Sequence, residues 1–184
     1  MRLVVVGGVA GGMSAAARAR RLDETAEIIV LDRGAHVSFA NCGLPYFVGG
    51  EIENERSLLV QTPASLKAAL DLDVRVRHDV TALDTASRTL TVQTEIGTEQ
   101  LHYDALILSP GALAVRPPLP GLDSPRVHTL RTVEDATTLR TIVTAGARRA
   151  VVLGGGFIGI EAAEALRAQG RETSVIELGT HVLP

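Results

Sequence analysis

Residues 2–32 read RLVVVGGVAGGMSAAARARRLDETAEIIVLD, and this stretch decides the fold. The run at 2–6 is apolar and β-branched, which predicts a fully buried parallel strand. Glycines crowd residues 7–12, an Ala- and Arg-rich helix is predicted over 13–22, and a second buried strand covers 27–32. Strand, glycine turn, helix and strand, closed by an acid, predict a dinucleotide-binding unit.

Two details of this stretch bear on the ligand. Glycines let the backbone approach a pyrophosphate, which rests on the N-terminus of the following helix. Asp32 follows Gly12 at the spacing from which a carboxylate accepts hydrogen bonds from ribose hydroxyls. Val9 departs from the pattern, because it occupies the usual position of the second glycine.

The same pattern returns near the end of the chain. A strand is predicted at 150–153, followed by the full GxGxxG motif GGGFIG at 154–159 and a helix over 160–169. A last strand at 173–177 ends in the acid Glu177. The sequence therefore predicts a second dinucleotide-binding unit.

The chain between the two units contains shorter predicted elements. Thr62 caps a helix near 63–71, and an edge-type strand follows at 74–77. Alternating polar and apolar residues predict a small antiparallel meander over runs near 80–84, 89–94 and 99–103.

A buried strand is predicted at 105–108, and the proline-rich segment at 114–125 is the predicted domain boundary. Thr132 caps a helix over about 133–145. We predict an α/β fold: a Rossmann-like FAD-binding domain with a small antiparallel meander over 1–114, then a Rossmann-like NAD(P)-binding domain over 115–184. The second domain has too few strands to cover both faces of a parallel sheet, so we expect the sequence to be truncated.

The stretch SFANCGLPYFVGG at 38–50 holds Cys42, the only cysteine of the chain. Asn41 is a favoured N-cap residue, which predicts Cys42 in the first turn of a short helix. The helix dipole there stabilises a thiolate, so Cys42 is a candidate redox thiol. The alternative is a small buried apolar side chain.

Composition excludes several kinds of partner. A net charge of −3 and 3% aromatic residues argue against a nucleic-acid partner. A single cysteine forms no internal disulfide, which favours a reducing compartment, and we expect a cytoplasmic protein. The five histidines have no zinc-type spacing, so we expect no metal site. The apolar run at the N-terminus is too short for a membrane span, and we expect neither export nor membrane binding.

The sequence resembles the class III, single-cysteine pyridine nucleotide–disulfide oxidoreductases and is most similar to their coenzyme A disulfide reductase group. The stretches that carry the resemblance are Val4–Leu22, Ser38–Gly50, Leu59–Pro63, Tyr103–Ala112, Thr129–Asp135 and Val151–Glu164. The resemblance implies that the chain is an N-terminal fragment of a homodimeric flavoprotein. It also implies that NAD(P)H reduces FAD, and that the electrons pass on to a mixed disulfide between Cys42 and coenzyme A.

The resemblance also assigns ligand contacts residue by residue. FAD contacts are expected at Gly7, Gly8, Val9, Ala10, Gly11, Asp32, the Val80 backbone, Ser109, Pro110, Gly111, Ala112 and Arg131. NAD(P)H contacts are expected at Gly154, Gly156, Phe157, Ile158, Gly159, Glu161 and Glu177. Coenzyme A contacts are expected at Ser14, Arg18, Arg21, Ser38 and Asn41, with Cys42 as the catalytic residue.

Several of these residues have finer roles or plain alternatives. Phe157 stands where the family has an aromatic side chain that covers the flavin, and Glu177 favours NADH over NADPH. Arg131 is alternatively a surface residue paired with Glu134 or Asp135. The basic face of Arg18 and Arg21 is alternatively only solvated.

Other functions stay open at this stage. An NADH peroxidase or oxidase would cycle Cys42 through a sulfenic acid, but members of the peroxidase type carry a histidine where this chain has Ala10. A persulfide or polysulfide reductase would use the same thiol chemistry. A different class of function is an inactive nucleotide-binding fragment or a redox sensor, since we expect 184 residues alone to be inactive or barely active.

Overall fold

The structure is a computed structural model and describes residues 1–183. In chain order the elements are β1 (Arg2–Val6), α1 (Ala10–Leu22), β2 (Glu27–Asp32), α2 (Leu44–Gly49), α3 (Pro63–Leu70), β3 (Asp73–Val76), β4 (Asp79–Asp84), β5 (Thr89–Thr94), β6 (Gly97–His102), β7 (Ala105–Leu108), α4 (Val133–Thr144), β8 (Arg149–Leu153), α5 (Phe157–Ala168) and β9 (Glu172–Ile176). Two 3₁₀ turns, Asn41–Gly43 and Glu55–Leu58, flank α2. The predicted α/β class is confirmed.

A parallel sheet in the order β3-β2-β1-β7 organises the first part of the chain. Side chains alternate between its two faces, as in any strand. Val5 and Val30 pack with α1 and α3 on one face, while Val4 and Ile29 pack with the meander on the other. Each such buried side chain contributes about 1.5–3 kcal/mol, so β1 and β2 fix the position of the turn that follows β1.

The meander β4-β5-β6 is antiparallel, as predicted, with a register shift between Val80 and Ala82. Leu90 and Val92 of β5 are fully buried and face the parallel sheet. The prediction for β7 was wrong in one respect. It forms the edge of the parallel sheet among the described residues, and Leu108 is 57% exposed, so β7 is not a fully buried strand.

Helices α3 and α4 begin as predicted. Thr62 and Thr132 each accept a hydrogen bond from the third residue of the helix, and Ser65 and Asp135 bond back to the cap amide. These reciprocal capping boxes explain why both starts are readable from sequence. Helix α1 begins at Ala10, earlier than predicted, so two of the clustered glycines are helical.

Two compact units divide the chain differently from the predicted domains. One unit comprises 1–39 and 59–112, and the other comprises 40–58 and 113–183. The segment 40–58, which carries Cys42, therefore groups with α4, β8, α5 and β9. The functional assignment of the two domains remains a prediction.

The second unit contains the parallel pair β8-β9, and α5 packs on this pair. Helix α2 packs against α4 and α5. Residues 113–132 form no helix or strand, in keeping with the predicted proline-rich connection. Within residues 1–183, no helix is both long enough and apolar enough to cross a bilayer.

Candidate functional site

The glycine turn after β1 forms a cradle that only glycine allows. Gly7 has φ +103°, in the left-handed region that favours glycine. A Cβ on Gly12 would lie well inside 3.0 Å of the Gly7 carbonyl oxygen, closer than real Cβ atoms come. The turn and the first residues of α1 are therefore packed against each other without side chains between them, which leaves backbone N–H groups accessible to an anion.

Asp32 anchors this cradle from the end of β2. Its Oδ2 accepts a hydrogen bond from the Gly8 amide at 2.6 Å, and its Oδ1 accepts one from the Gly34 amide at 2.7 Å. A carboxylate has about four acceptor sites, so two remain for other donors. The arrangement fits the predicted contact with ribose hydroxyls.

The segment after β7 meets the same end of the sheet. The Ser109 amide donates to the Val6 carbonyl oxygen at 2.7 Å, and Ser109 lies so close to Gly7 that no Cβ would fit between them. Pro110, Gly111 and Ala112 follow as exposed residues. The structure thus brings this predicted segment to the first cradle, at the carboxyl ends of parallel strands where such sheets bind ligands.

The second glycine turn repeats the first in its geometry. Gly154 has φ +103°, the same value as Gly7. A Cβ on Gly159 would lie well inside 3.0 Å of the Gly154 carbonyl oxygen. The residue between them, Gly156, is the N-cap of α5. Both predicted dinucleotide units therefore contain a backbone cradle that fits a pyrophosphate.

Glu177 takes the place of Asp32 in the second unit. Its Oε2 accepts from the Gly155 amide at 2.5 Å and its Oε1 from the Gly179 amide at 2.7 Å. Hydrogen bonds from these amides, that of Gly179 first, lower the pKa of Glu177 below its ordinary value. The carboxylate is therefore ionised at neutral pH and held beside the turn.

The loops after the two acids are also related, which the sequence analysis missed. Residues 32–38 read DRGAHVS and residues 177–183 read ELGTHVL. The amides of Ser38 and Leu183 each donate to the carbonyl oxygen of the second turn residue, Gly8 or Gly155, at 2.8 Å. Both also have positive φ, 48° and 53°. The shared Gly, His and Val of the two loops was the signal that could have revealed the repeat.

A valine from each loop covers its glycine turn. Val37 Cγ1 lies 2.6 Å from where a Cβ on Gly8 would be, and Val182 Cγ1 lies 2.8 Å from that position on Gly155. A Cβ at the second turn residue would therefore force the covering valine to shift in either unit, and glycine avoids this contact.

The first turn of α5 presents apolar side chains to solvent. Phe157 is 72% exposed and Ile158 is 54% exposed, whereas Glu161 is half-buried. An exposed aromatic ring at the start of a nucleotide-binding helix suits stacking on a planar ring. The predicted roles of these three residues stay predictions.

Cys42 is exposed, and the secondary structure that contains it differs from the predicted one. It lies in the 3₁₀ turn Asn41–Gly43, and α2 begins only at Leu44 with Gly43 as N-cap. The Asn41 side chain caps no helix, so the cap prediction was wrong. Exposure excludes the alternative of a small buried apolar residue.

Asn41 presents a buried acceptor beside the thiol residue. Its Oδ1 is buried and has no hydrogen-bond partner within the part of the chain that the structure describes. A buried amide oxygen without a partner is costly and indicates a donor from a ligand or solvent. This fits the predicted substrate contact of Asn41.

One face of α1 carries three predicted substrate residues. Ser14, Arg18 and Arg21 are all exposed, at spacings that place them on one side of the helix. Arg20 differs, because its guanidinium donates to the carbonyl oxygens of Leu70, Asp71, Asp23 and Glu24. The structure therefore separates a structural arginine from two that are available to an anion.

Three remaining predicted residues have structural contacts. The side chain of half-buried Val80 packs beside Leu90 and Val92, and the contact with FAD that was predicted for its backbone stays a prediction. The amide of Arg131 donates to Asp135 Oδ2 at 2.9 Å. Ser38 joins the loop of the first cradle, as described above.

Metal ligation finds no support in the part of the chain that the structure describes. Residues 1–183 contain no group of three or more His, Cys, Asp or Glu side chains that could hold a metal ion.

The chain is similar to known oxidoreductases. A family model described as pyridine nucleotide-disulphide oxidoreductase matches residues 1–184. Coenzyme A disulfide reductase from Staphylococcus haemolyticus (strain JCSC1435) is 38% identical over 178 residues, which cover 95% of this chain and 40% of that protein. The chain therefore spans about 40% of the length of this curated relative.

Several solved structures match the whole chain, among them the following two. The structure of reduced Bacillus anthracis CoADR-RHD has a TM-score of 0.97 and 44% identity, over 100% of this chain and 34% of that one. The NAD-dependent persulfide reductase from A. fulgidus has a TM-score of 0.96 and 38% identity, over 100% of this chain and 35% of that one.

Proposed function

The chain belongs to the pyridine nucleotide-disulphide oxidoreductase family, and we propose that its protein reduces coenzyme A disulfide with electrons from NAD(P)H, through FAD and Cys42. The observation that carries the proposal is the combination of two matching dinucleotide cradles with one exposed thiol. Cys42 follows Ser38 by four residues, and Ser38 is hydrogen-bonded to the first cradle.

The residues present fit both cofactors, FAD and NAD(P)H. Gly7–Gly11, Asp32 and Ser109–Ala112 would hold FAD, while Gly154–Gly159 and Glu177 would hold NAD(P)H. When bound, the cofactors would supply hydride transfer from NAD(P)H to FAD and a source of two electrons for the sulfur.

Cys42 performs the sulfur chemistry. Its thiolate attacks one sulfur of coenzyme A disulfide, the S–S bond breaks, and one coenzyme A leaves as a thiolate that takes a proton. A mixed disulfide between Cys42 and coenzyme A remains. Two electrons and a second proton then release the other coenzyme A and restore the Cys42 thiolate. Residues 1–184 contain no other cysteine, and we propose that the substrate sulfur takes the part of a resolving thiol.

Arg18 and Arg21 are proposed to bind the phosphates of coenzyme A. Both are exposed on α1, and guanidinium groups bind phosphate oxygens in pairs. Ser14 and Ser38 would add hydroxyl contacts. Asn41 would use its unpartnered Oδ1 to accept a hydrogen bond from the substrate.

Two finer features belong to the same proposal. Coenzyme A disulfide reduction needs a compartment in which the product stays a thiol, so we propose that the protein works in the cytoplasm. We also propose that it is a homodimer, as the family resemblance implies. A single exposed cysteine agrees with a reducing compartment.

The test is an assay of the protein at its natural length. With NADH or NADPH present, coenzyme A disulfide is expected to drive loss of the nicotinamide absorbance and to yield two thiols for each nicotinamide oxidised. Mass spectrometry of the resting protein is expected to find coenzyme A on Cys42. No turnover of coenzyme A disulfide under these conditions would refute the proposal.

A second candidate substrate is a coenzyme A persulfide. The persulfide reductase from A. fulgidus shares 38% identity over the whole chain. The same thiolate would attack the outer sulfur, the S–S bond would break and coenzyme A would leave as a thiol. Two electrons and protons would then release the sulfur from Cys42 as sulfide. Offering the persulfide and the disulfide to the same preparation separates the two by their kcat/KM. Hydrogen peroxide is expected to be a poor substrate, since Ala10 has no side chain that can transfer a proton.

NADH is expected to be preferred over NADPH because of Glu177. Its ionised carboxylate would repel the extra phosphate of NADPH, and like charges in contact are strongly unfavourable. A Glu177→Gln variant keeps the side-chain shape, and we expect its preference for NADH to fall about tenfold. The measurement is the ratio of kcat/KM for the two nucleotides.

The pH dependence of NADH binding follows from the same carboxylate. Hydrogen bonds to its charged form lower the pKa of Glu177, so its charge is lost only as pH falls below the ordinary value of 4.5. We expect Glu177 to cause no change in NADH affinity between pH 8 and pH 5.5.

Glu172→Gln, at the exposed start of β9, is the matched control for Glu177→Gln and should leave the NADH preference unchanged. An unaltered preference in Glu177→Gln would contradict the role.

A further inference from the structure

Helix α2 connects Cys42 to the helices of the second unit. Cys42 lies in the 3₁₀ turn directly before α2, and the Leu44 amide, at the end of that turn, donates to the Asn41 carbonyl oxygen. Five of the six residues of α2 are buried. The thiol residue is therefore the exposed end of a segment that is otherwise packed.

Arg140 of α4 holds the other end of α2. Its Nη1 donates to the carbonyl oxygen of Phe47 at 2.7 Å and to that of Ile52 at 2.5 Å. Its guanidinium carbon lies 4.5 Å from the centroid of the Phe47 ring. One side chain thus satisfies two carbonyl groups at the end of the helix and also stacks on an aromatic ring, a set of contacts that lysine cannot reproduce.

Gln169 at the end of α5 holds the same end of α2. Its Nε2 donates to the carbonyl oxygen of Gly49. Gly49 itself lies against α5, where an added Cβ would be 3.0 Å from the Cβ of Ala165. The two helices therefore touch backbone to side chain, with no room for α2 to shift toward α5.

We propose that Arg140 and Gln169 are positioning residues for Cys42 in the reaction. They fix α2 at its carboxyl end, and α2 in turn fixes the turn that carries the thiol. The inference rests on the proposed function, because it needs Cys42 to be the reacting group. A displacement of about 1 Å at a reacting atom costs on the order of 100-fold in rate, so a loosened α2 lowers turnover without altering a binding residue.

The two ends of helix α5 lie at two different proposed functional features. Its first turn follows the second glycine cradle, and its C-cap residue is Gln169. Helix α5 therefore begins at the proposed nucleotide-binding turn and ends at the residue that supports the cysteine segment.

The test uses the protein at its natural length with Arg140→Met, Arg140→Lys and Gln169→Met. We expect about tenfold lower kcat with coenzyme A disulfide in Arg140→Met, an unchanged KM for NADH and a full flavin content. After NADH has released any coenzyme A from Cys42, alkylation of the free thiol by iodoacetamide is followed on its own peptide by mass spectrometry from pH 6 to 9. Its rate and pH profile are expected to change. Arg140→Lys should recover part of both. Arg167→Met, an exposed arginine of α5, is the matched control and should behave as the wild type.

Each outcome decides the proposal. Wild-type kcat and alkylation in both methionine variants would overturn it, while a loss of activity in Cys42→Ser would still uphold the proposed function. If Cys42→Ser stays active, the proposed function fails first. If Arg140→Met does not fold, Gln169→Met decides, since it removes a single hydrogen bond.

Discussion

Replacing Cys42 by serine is expected to lower coenzyme A disulfide reduction by at least about 10³-fold while FAD stays bound. Serine has nearly the same size, and Cys42 is exposed, so the exchange opens no cavity. A serine oxygen forms no disulfide with the substrate, and its hydroxyl is not ionised at neutral pH. Cys42 is the only cysteine of residues 1–184, so no other thiol of this part of the protein can take over.

The Cys42→Ser measurement needs two readouts. Thiol release from coenzyme A disulfide reports the reaction, and the visible flavin spectrum with the thermal unfolding midpoint reports the folded holoprotein. Tyr46→Phe, on the exposed side of α2, is a matched control that changes the same segment without touching sulfur. If the serine variant keeps more than a tenth of the wild-type rate, the sulfur of Cys42 is not the electron acceptor.

Local rules explain which parts of this fold could be predicted. The glycine turns, the strands before them and the acids after them depend on residues close in sequence, and all were predicted. The helix starts at Thr62 and Thr132 were also predicted, because each has a capping partner three residues later. Asn41 has Leu44 at that position, whose side chain cannot return a hydrogen bond, and no side-chain cap forms there.

Long-range packing explains what the sequence did not reveal. The contacts that group 40–58 with the second unit join residues about a hundred positions apart, such as Arg140 with Phe47 and Gln169 with Gly49. The pattern of apolar residues in either segment does not indicate which other segment it packs against. The one local sign is the glycine pair 49–50, which the sequence analysis treated only as the end of a helix.

The duplicated loop could be recognised from the sequence only in part. DRGAHVS and ELGTHVL are visibly alike, but their role becomes clear only when Ser38 and Leu183 are seen to bond the two glycine turns. The two cradles thus share one backbone arrangement. Their turns differ at three positions, where Val9, Ala10 and Gly11 stand in place of Gly156, Phe157 and Ile158. A repeated structure allows each copy to serve as the control for the other.

Gly12→Ala and Gly159→Ala are therefore expected to separate the two cofactors. In an exposed helix, alanine would be favoured over glycine by about 1 kcal/mol. Here the added Cβ would overlap a carbonyl oxygen, that of Gly7 or of Gly154, so the backbone must move apart. Overpacking of this kind costs about 1–3 kcal/mol or more, which exceeds the gain in helix propensity and distorts the cradle.

We expect each of the two variants to weaken the binding of a different cofactor. Gly12→Ala should be purified with little or no flavin, with FAD affinity at least about 100-fold lower, because the pyrophosphate contacts depend on the distorted turn. Gly159→Ala should keep its flavin but show a KM for NADH at least about tenfold higher. Flavin content by absorbance and nicotinamide kinetics measure the two effects. Equal loss of flavin in both variants would mean that the substitutions disrupt folding generally. Normal flavin in Gly12→Ala would mean that FAD does not lie in the first cradle.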